Sequence, residues 1–286
     1  MTKTIIGLIL GVVLFSGNAS AWDFHSPEER PTRGTAYTGA PMQKRLVVGF
    51  FGTQFDEMLA VVGLTFSPVK YWEFGMNLAH LGAGIVNINT KFNLLDKKYG
   101  GLGVGIGFIW AHGDWLWVLP PFQQRLAKGI DIFVIPLNLI GSIEATRWLH
   151  FDLTVGYNHV EVVGEMNGSQ LFYDGELAAQ QVFVLPKVRF FIWDKVSLNI
   201  SGKLALWARM YYEAVAEVNI TPGLRGGVRS AKYKVEDPLY DWLVTAAIKT
   251  ELIEKLYLGV NLSVGPFTEK VYKHTLNTGL DLEWRF

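Results

Sequence analysis

Apolar and polar side chains change places at every residue over long stretches of this chain. In 256–264, Leu256, Leu258, Val260, Leu262 and Val264 alternate with Tyr257, Gly259, Asn261 and Ser263. In 86–94, Val86, Ile88, Thr90, Phe92 and Leu94 alternate with Asn87, Asn89, Lys91 and Asn93. The stretches 149–157, 196–212 and 274–286 repeat the rhythm. A period of two places successive side chains on opposite faces of a strand, whereas a helix would bring Lys, Asn and Asp into its apolar stripe.

About twelve segments carry the pattern: 43–51, 57–66, 71–80, 85–95, 101–111, 129–145, 148–160, 180–193, 195–214, 238–252, 255–265 and 274–286. A tilted strand crosses a bilayer in about ten residues, which these lengths suit. Phase is lost near Pro136, and a β-bulge is expected there because proline cannot donate to the ladder. Short turns at 67–70, 96–98, 145–147, 193–195 and 253–255 alternate with a second set of connections, which contains the long loops 112–128, 161–179, 215–237 and 266–273. The pattern predicts an all-β fold: a transmembrane antiparallel up-and-down β-barrel of about 12 strands over 43–286, both termini at the short-turn end.

Composition sharpens this picture. Of 286 residues, 50% are hydrophobic, 14% aromatic and 18% charged, and the formal net charge is zero. Zero net charge argues against a nucleic-acid partner. There is no cysteine, so thiol chemistry, cysteine metal sites and disulfides are excluded. A β-sandwich with the same strands would have to hide every apolar face in one core, while a barrel in lipid pairs all its backbone and leaves those faces outside. Trp72, Trp148, Trp193, Trp284 and Phe286 fall at the short-turn ends, and Trp110, Tyr157 and Tyr212 near the long-loop ends, where amphipathic rings favour a membrane–water boundary.

Lys3, the apolar run 5–15 and Ala19-Ser20-Ala21 read as a secretory signal peptide over 1–21. Residues 22–42 have no period and are rich in Pro, Thr and charge. They are expected to be a periplasmic N-terminal tail or a plug in the barrel.

The last strand, HTLNTGLDLEWRF, resembles the C-terminal signature of Gram-negative outer-membrane β-barrels, which end on Phe with apolar residues at every second position before it. Leu280, Leu282, Trp284 and Phe286 are the matching positions. The resemblance implies placement in a bacterial outer membrane, contact with its lipid and lipopolysaccharide, and reading of those four residues by the barrel-assembly machinery.

Strand parity nominates a lumen lining of Asn87, Asn89, Lys91, Lys187, Arg189, Lys203, Arg209, Glu213 and Lys249, with Phe183, Phe191, Trp207 and Tyr211 also inward. Two readings stay open: a narrow pore favouring anionic solutes, and a salt-bridged interior that conducts little. The glycines of GLGVGIG, 101–107, fall on every second residue. They are a bare inner face with room for something folded in, and no nucleotide loop.

His80, His112 and His159 have lipid-facing parity near the long-loop ends, and neither the Ser/His/Asn pattern of outer-membrane phospholipases nor the Asp/His pairs of omptin-like proteases is found. The loop 112–126 is unusually apolar, and Trp115, Trp117 and Phe122 are candidates for a constriction or for an envelope protein partner. No cofactor or metal is expected. Three functions follow: a narrow channel for small solutes, a scaffolding barrel that binds protein partners, and, last, an outer-membrane hydrolase. The reading adopted is a non-enzymatic one.

Overall fold

The computed structural model describes residues 35–52, 59–97, 99–115, 129–167, 171–193, 195–221, 224–235, 242–265 and 275–286. Residues 1–21, expected to be a signal peptide, and residues 22–34 of the expected tail lie outside them.

The chain forms β1 (Lys44–Gly52), β2 (Leu59–Val69), β3 (Trp72–Asn77), a short helix α1 (Leu78–Gly82), β4 (Ile85–Lys97), β5 (Gly100–His112), β6 (Ile130–Thr146), β7 (Leu149–Asn167), β8 (Leu171–Trp193), β9 (Val196–Thr221), β10 (Leu224–Val235), β11 (Trp242–Ile253), β12 (Leu256–Gly265) and β13 (Thr275–Arg285). Neighbours pair antiparallel, and β13 returns to β1 with Val47 opposite Glu283 and Phe50 opposite Leu280. β9 is shared: residues 196–204 pair with β11, and residues 210–221 pair with β10. β10 and β11 therefore occupy one position in turn, and twelve strands close the ring. Closure leaves the ring no unpaired edge.

Polarity is inverted relative to a water-soluble core. Exposed side chains include Phe50, Ile88, Phe92, Leu137, Leu139, Leu153, Val155, Leu204, Ile248, Val260 and Leu280, while Arg45, Glu73, Glu144, His150, Asp152, Arg189 and Glu283 are buried. One face of every such strand is an apolar belt; the other holds the charges inside. Tyr71, Trp72, Tyr99, Trp148, Trp284 and Phe286 are exposed at the short-turn end. Val260 sits mid-strand on the belt, 51% exposed. Val260→Arg is expected to cost about 2–4 kcal/mol if that row lies at the bilayer midplane. Urea titration of refolding into phospholipid vesicles measures it, and wild-type stability would contradict a lipid-facing belt.

Three expectations need correction. The loops expected over 161–179 and 215–237 are largely strand: β7, β8 and β9 run on past the belt and β10 folds back on β9. Beyond the bilayer neither face has to be apolar, so the alternation that marks a strand fades. Segment 71–80 is strand only to Asn77; its side chain caps α1 by accepting from the backbone N–H of Ala79 and His80. There is no bulge at Pro136, because β6 keeps one register with β7 through Pro136 and Asn158. Proline fits because its neighbour is bare: a Cβ on Gly107 would lie 2.6 Å from Pro136 Cγ. Register shifts fall elsewhere, at Asn93/Leu95 of β4, Glu144/Thr146 of β6 and Val182/Phe183 of β8 opposite β9.

Candidate functional site: the lumen

Residues 35–43 re-enter the barrel. Thr35, Ala36, Tyr37 and Thr38 are buried, Ala36 completely. Ala40 to Gln43 make a tight turn with Pro41 second and Met42 at φ 63°, closed by Gln43 N–H donating to Ala40 C=O at 3.0 Å. Proline at the second position and a positive φ at the third are the marks of a type II turn. The turn sends the chain from the lumen into β1.

The segment lies along the glycine face of β5. A Cβ on Gly103 would meet the Ala36 carbonyl oxygen at 2.8 Å, and one on Gly101 would meet the Tyr37 ring at 2.9 Å. Hydrogen bonds fix it along its length. Ala36 N–H donates to Ser142 Oγ at 2.8 Å, which in turn donates to Asp152 Oδ1 at 2.6 Å. Thr38 donates to the Lys70 carbonyl, and Gly39 N–H to Glu73 Oε2 at 3.3 Å. Met42 N–H reaches the Ser67 carbonyl at 2.7 Å.

Behind the segment the inner wall is a set of ion pairs. Glu73 Oε1 holds both Arg45 and Lys91 at 3.3 Å. His150 faces Glu144 at 3.4 Å, and Asp152 faces Arg189 at 3.8 Å. Glu283 accepts from Lys249 and from Arg285 Nε, the latter at 2.8 Å. Each charge meets its opposite, as burial in a low-dielectric interior requires.

The other side of the lumen is open space. A cavity of about 1370 Å³ runs along β8, β9, β11, β12 and β13. It reaches from Arg147, Lys195 and Lys255 in the short turns to Asn138 on β6 and Ser263 on β12, and Ala40–Gln43 border it. Phe183 lies flat across Gly156, its partner in register, where a Cβ would come within 2.1 Å of the ring. Glycine thus lets this aromatic lie against the wall that borders the cavity.

The nominated residues divide among these surroundings. Lys187, Arg189 and Lys249 come together on the cavity. Lys91 is instead tied into the Glu73 cluster behind the N-terminal segment. Asn87 binds His80 Nδ1 at 2.8 Å, and Asn89 lies over Gly75. Lys203 sits 5.2 Å from the centre of the Phe183 ring. Arg209 does not follow the expected parity. The β8–β9 register shift inserts a residue between Ala205 and Trp207, so Trp207 is 42% exposed and Ala208 is 3% exposed. Above that bulge Trp207 pairs with outward Val182, and Arg209 falls in the same outer row. The side chain of Glu213 lies outside the described residues.

Leu280, Leu282, Trp284 and Phe286 are all exposed on the belt, and the Trp284 and Phe286 rings are 5.0 Å apart. Phe286 and Lys44 exchange backbone hydrogen bonds of 2.8 and 2.9 Å, so the last residue seals the seam. Trp115 ends a single 3-10 turn, Gly113–Trp115; Trp117 and Phe122 lie outside the described residues.

The histidines also separate. His80 is on α1 and turns to the luminal Asn87, not to lipid. Burial pushes its imidazole below the ordinary value. His112 is held by Asp131 at 2.9 Å and Asp114 at 3.6 Å, with Trp110 Nε1 on the same Asp131 oxygen at 2.9 Å. Both its ring nitrogens face carboxylates at the end of the barrel opposite the short turns. Arg45 and Glu144 were not singled out as wall residues, and the aperiodic residues 35–39 gave no signal except the matching glycines of β5.

No protein-family model matches the chain, and no curated protein matches it in sequence. Among solved structures it is similar to the CymD monoaromatic hydrocarbon channel, with TM-score 0.42 and 9% identity over 87% of this chain and 89% of that one. The NanC porin gives TM-score 0.42 and 8% identity over 84% and 97%. The outer membrane protease OmpT from Escherichia coli gives 0.39 and 11% over 88% and 100%. A channel, a porin and a protease share this distant likeness of barrel shape, so the lumen itself has to carry the functional reading.

Proposed function

We propose that the chain is a narrow outer-membrane channel for small solutes, constricted by its own N-terminal segment. One observation supports the reading above others: residues 35–38 are buried against one side of the lumen, and a cavity of about 1370 Å³ lies along the other. A barrel closed only for stability has no need of that space, and a ring of twelve strands is wider than the eight-strand kind that side chains fill. The short-turn end faces the periplasm in this reading, as short turns do in such barrels. Leu280, Leu282, Trp284 and Phe286 form the exposed row that the assembly machinery reads.

Reconstitution into planar bilayers tests the channel. Discrete conductance steps are expected; a tight seal across a range of voltages would end the proposal. The address is tested by fractionation, where the heat-modifiable band belongs in the outer-membrane fraction and is depleted when Phe286 is deleted.

A further inference from the structure

The cavity has a chemical bias. Seven lysines and arginines face it against three acidic residues. Counting Glu283 and Asp152, the carboxylates that pair with lining cations from behind, the cations remain in excess.

Their placement is specific. Lys187 and Arg189 stand on β8, and Lys249 stands on β11 two strands away, about 10 Å along the wall. Between them β9 contributes Ser197, Asn199 and Ser201. Asn199 Oδ1 already accepts from Arg189 Nε at 2.6 Å, which leaves the Asn199 amide nitrogen as a donor. Across β9, Thr245 and Ser263 share one hydrogen bond of 2.8 Å and keep a second hydroxyl hydrogen for a ligand. The wall is thus a run of neutral donors flanked by cations. Cations beside neutral donors suit an oxyanion, because hydrogen bonds to a charged acceptor are the strong ones. A row of hydroxyls and amides suits the alcohols of a polyol.

We infer that this wall is a binding site for a small polyhydroxylated oxyanion, a sugar acid or a sugar phosphate. The oxyanion sits against Lys187, with Arg189 held behind it by Asp152 and Asn199, and the hydroxyls sit against Ser197, Asn199 and Ser201. As a statement about transport this rests on the channel reading; as a statement about binding it does not. Lys187 and Arg189 supply the charge term, and the serines and Asn199 supply the polyol term. Either alone is ordinary in a barrel wall, and the combination within one cavity selects the class.

Calorimetric titration of the purified barrel in detergent at low salt tests the site with gluconate, glucose 6-phosphate and glucose. Gluconate or the phosphate is expected to bind roughly tenfold more tightly than glucose, the factor one contact to a charged group is worth. Tight binding of only one of the two anions identifies the oxyanion as carboxylate or phosphoryl. Lys187→Gln is expected to lose that preference and Lys187→Arg to keep it. Glucose binding as well as both anions, or Lys187→Gln retaining wild-type affinity in a barrel of unchanged heat-modifiability, overturns the inference. The bilayer result separates the two claims: anion binding without conductance sinks the channel alone, and conductance without anion binding sinks the site alone.

Discussion

Removing the mature chain up to Ala40, so that it begins at Pro41 behind the signal peptide, is expected to raise single-channel conductance severalfold. The deletion takes away the residues that lie along Gly101 and Gly103 and leaves the Met42–Ser67 hydrogen bond and all of β1 in place. The ring itself stays closed, since strand pairing at the seam runs through Lys44 and Phe286. The lumen gains the segment's volume on the side opposite the existing cavity. Gly103→Val tests the same contact by a point change. Its side chain would push directly on the Ala36 backbone at 2.8 Å, which, unlike a flexible side chain, cannot swing aside. Both variants should fold to heat-modifiable barrels and both should conduct more than wild type. Equal conductance in the deletion would show that residues 35–40 do not set the constriction.

That segment also shows where sequence reading reaches its limit. The strands β4, β12 and β13 are legible because lipid outside and water inside impose the alternation residue by residue. Residues 35–40 touch the wall through backbone groups, the Thr38 hydroxyl and one ring, so no period marks them. The clue was indirect: glycines at 101 and 103 leave a bare track that only something folded inward would fill. Arg209 was misplaced for a different reason. Leu204, Leu206 and Trp207 are all apolar, so a one-residue slip between 205 and 207 changes the facing of every later residue without disturbing the hydrophobic pattern. Pro136 misled in the opposite direction. Proline suggests a bulge only if its ring lacks room, and Gly107 on the neighbouring strand provides it. Lys187, Arg189 and Lys249 were named by parity one at a time; that they share a cavity depends on where β8 and β11 stand around the ring, which the linear sequence does not contain.

Replacing Glu283 should produce a large loss of stability. Its side chain is fully buried, beside the β13–β1 seam, with Lys249 and Arg285 both bound to its carboxylate. Breaking a buried pair by removing one partner costs about 3–5 kcal/mol, because the remaining charge is left without compensation. Two cations are left here, but neither is fully enclosed: the Lys249 side chain is 22% exposed and that of Arg285 12%. Water and the Tyr257 ring, 5.0 Å from Lys249 and 4.5 Å from Arg285, recover part of the loss. Glu283→Ala is therefore expected near the lower end of that range, read as a shift in the urea midpoint of the barrel refolded in vesicles. Removing Lys249 as well should cost less than the sum of the two single changes, since the second deletion takes away a charge the first one stranded. A double variant that loses the full sum would mean that Glu283 and Lys249 do not act as a pair, and that the seam is held by the backbone ladder between β13 and β1 with no help from the charges inside it.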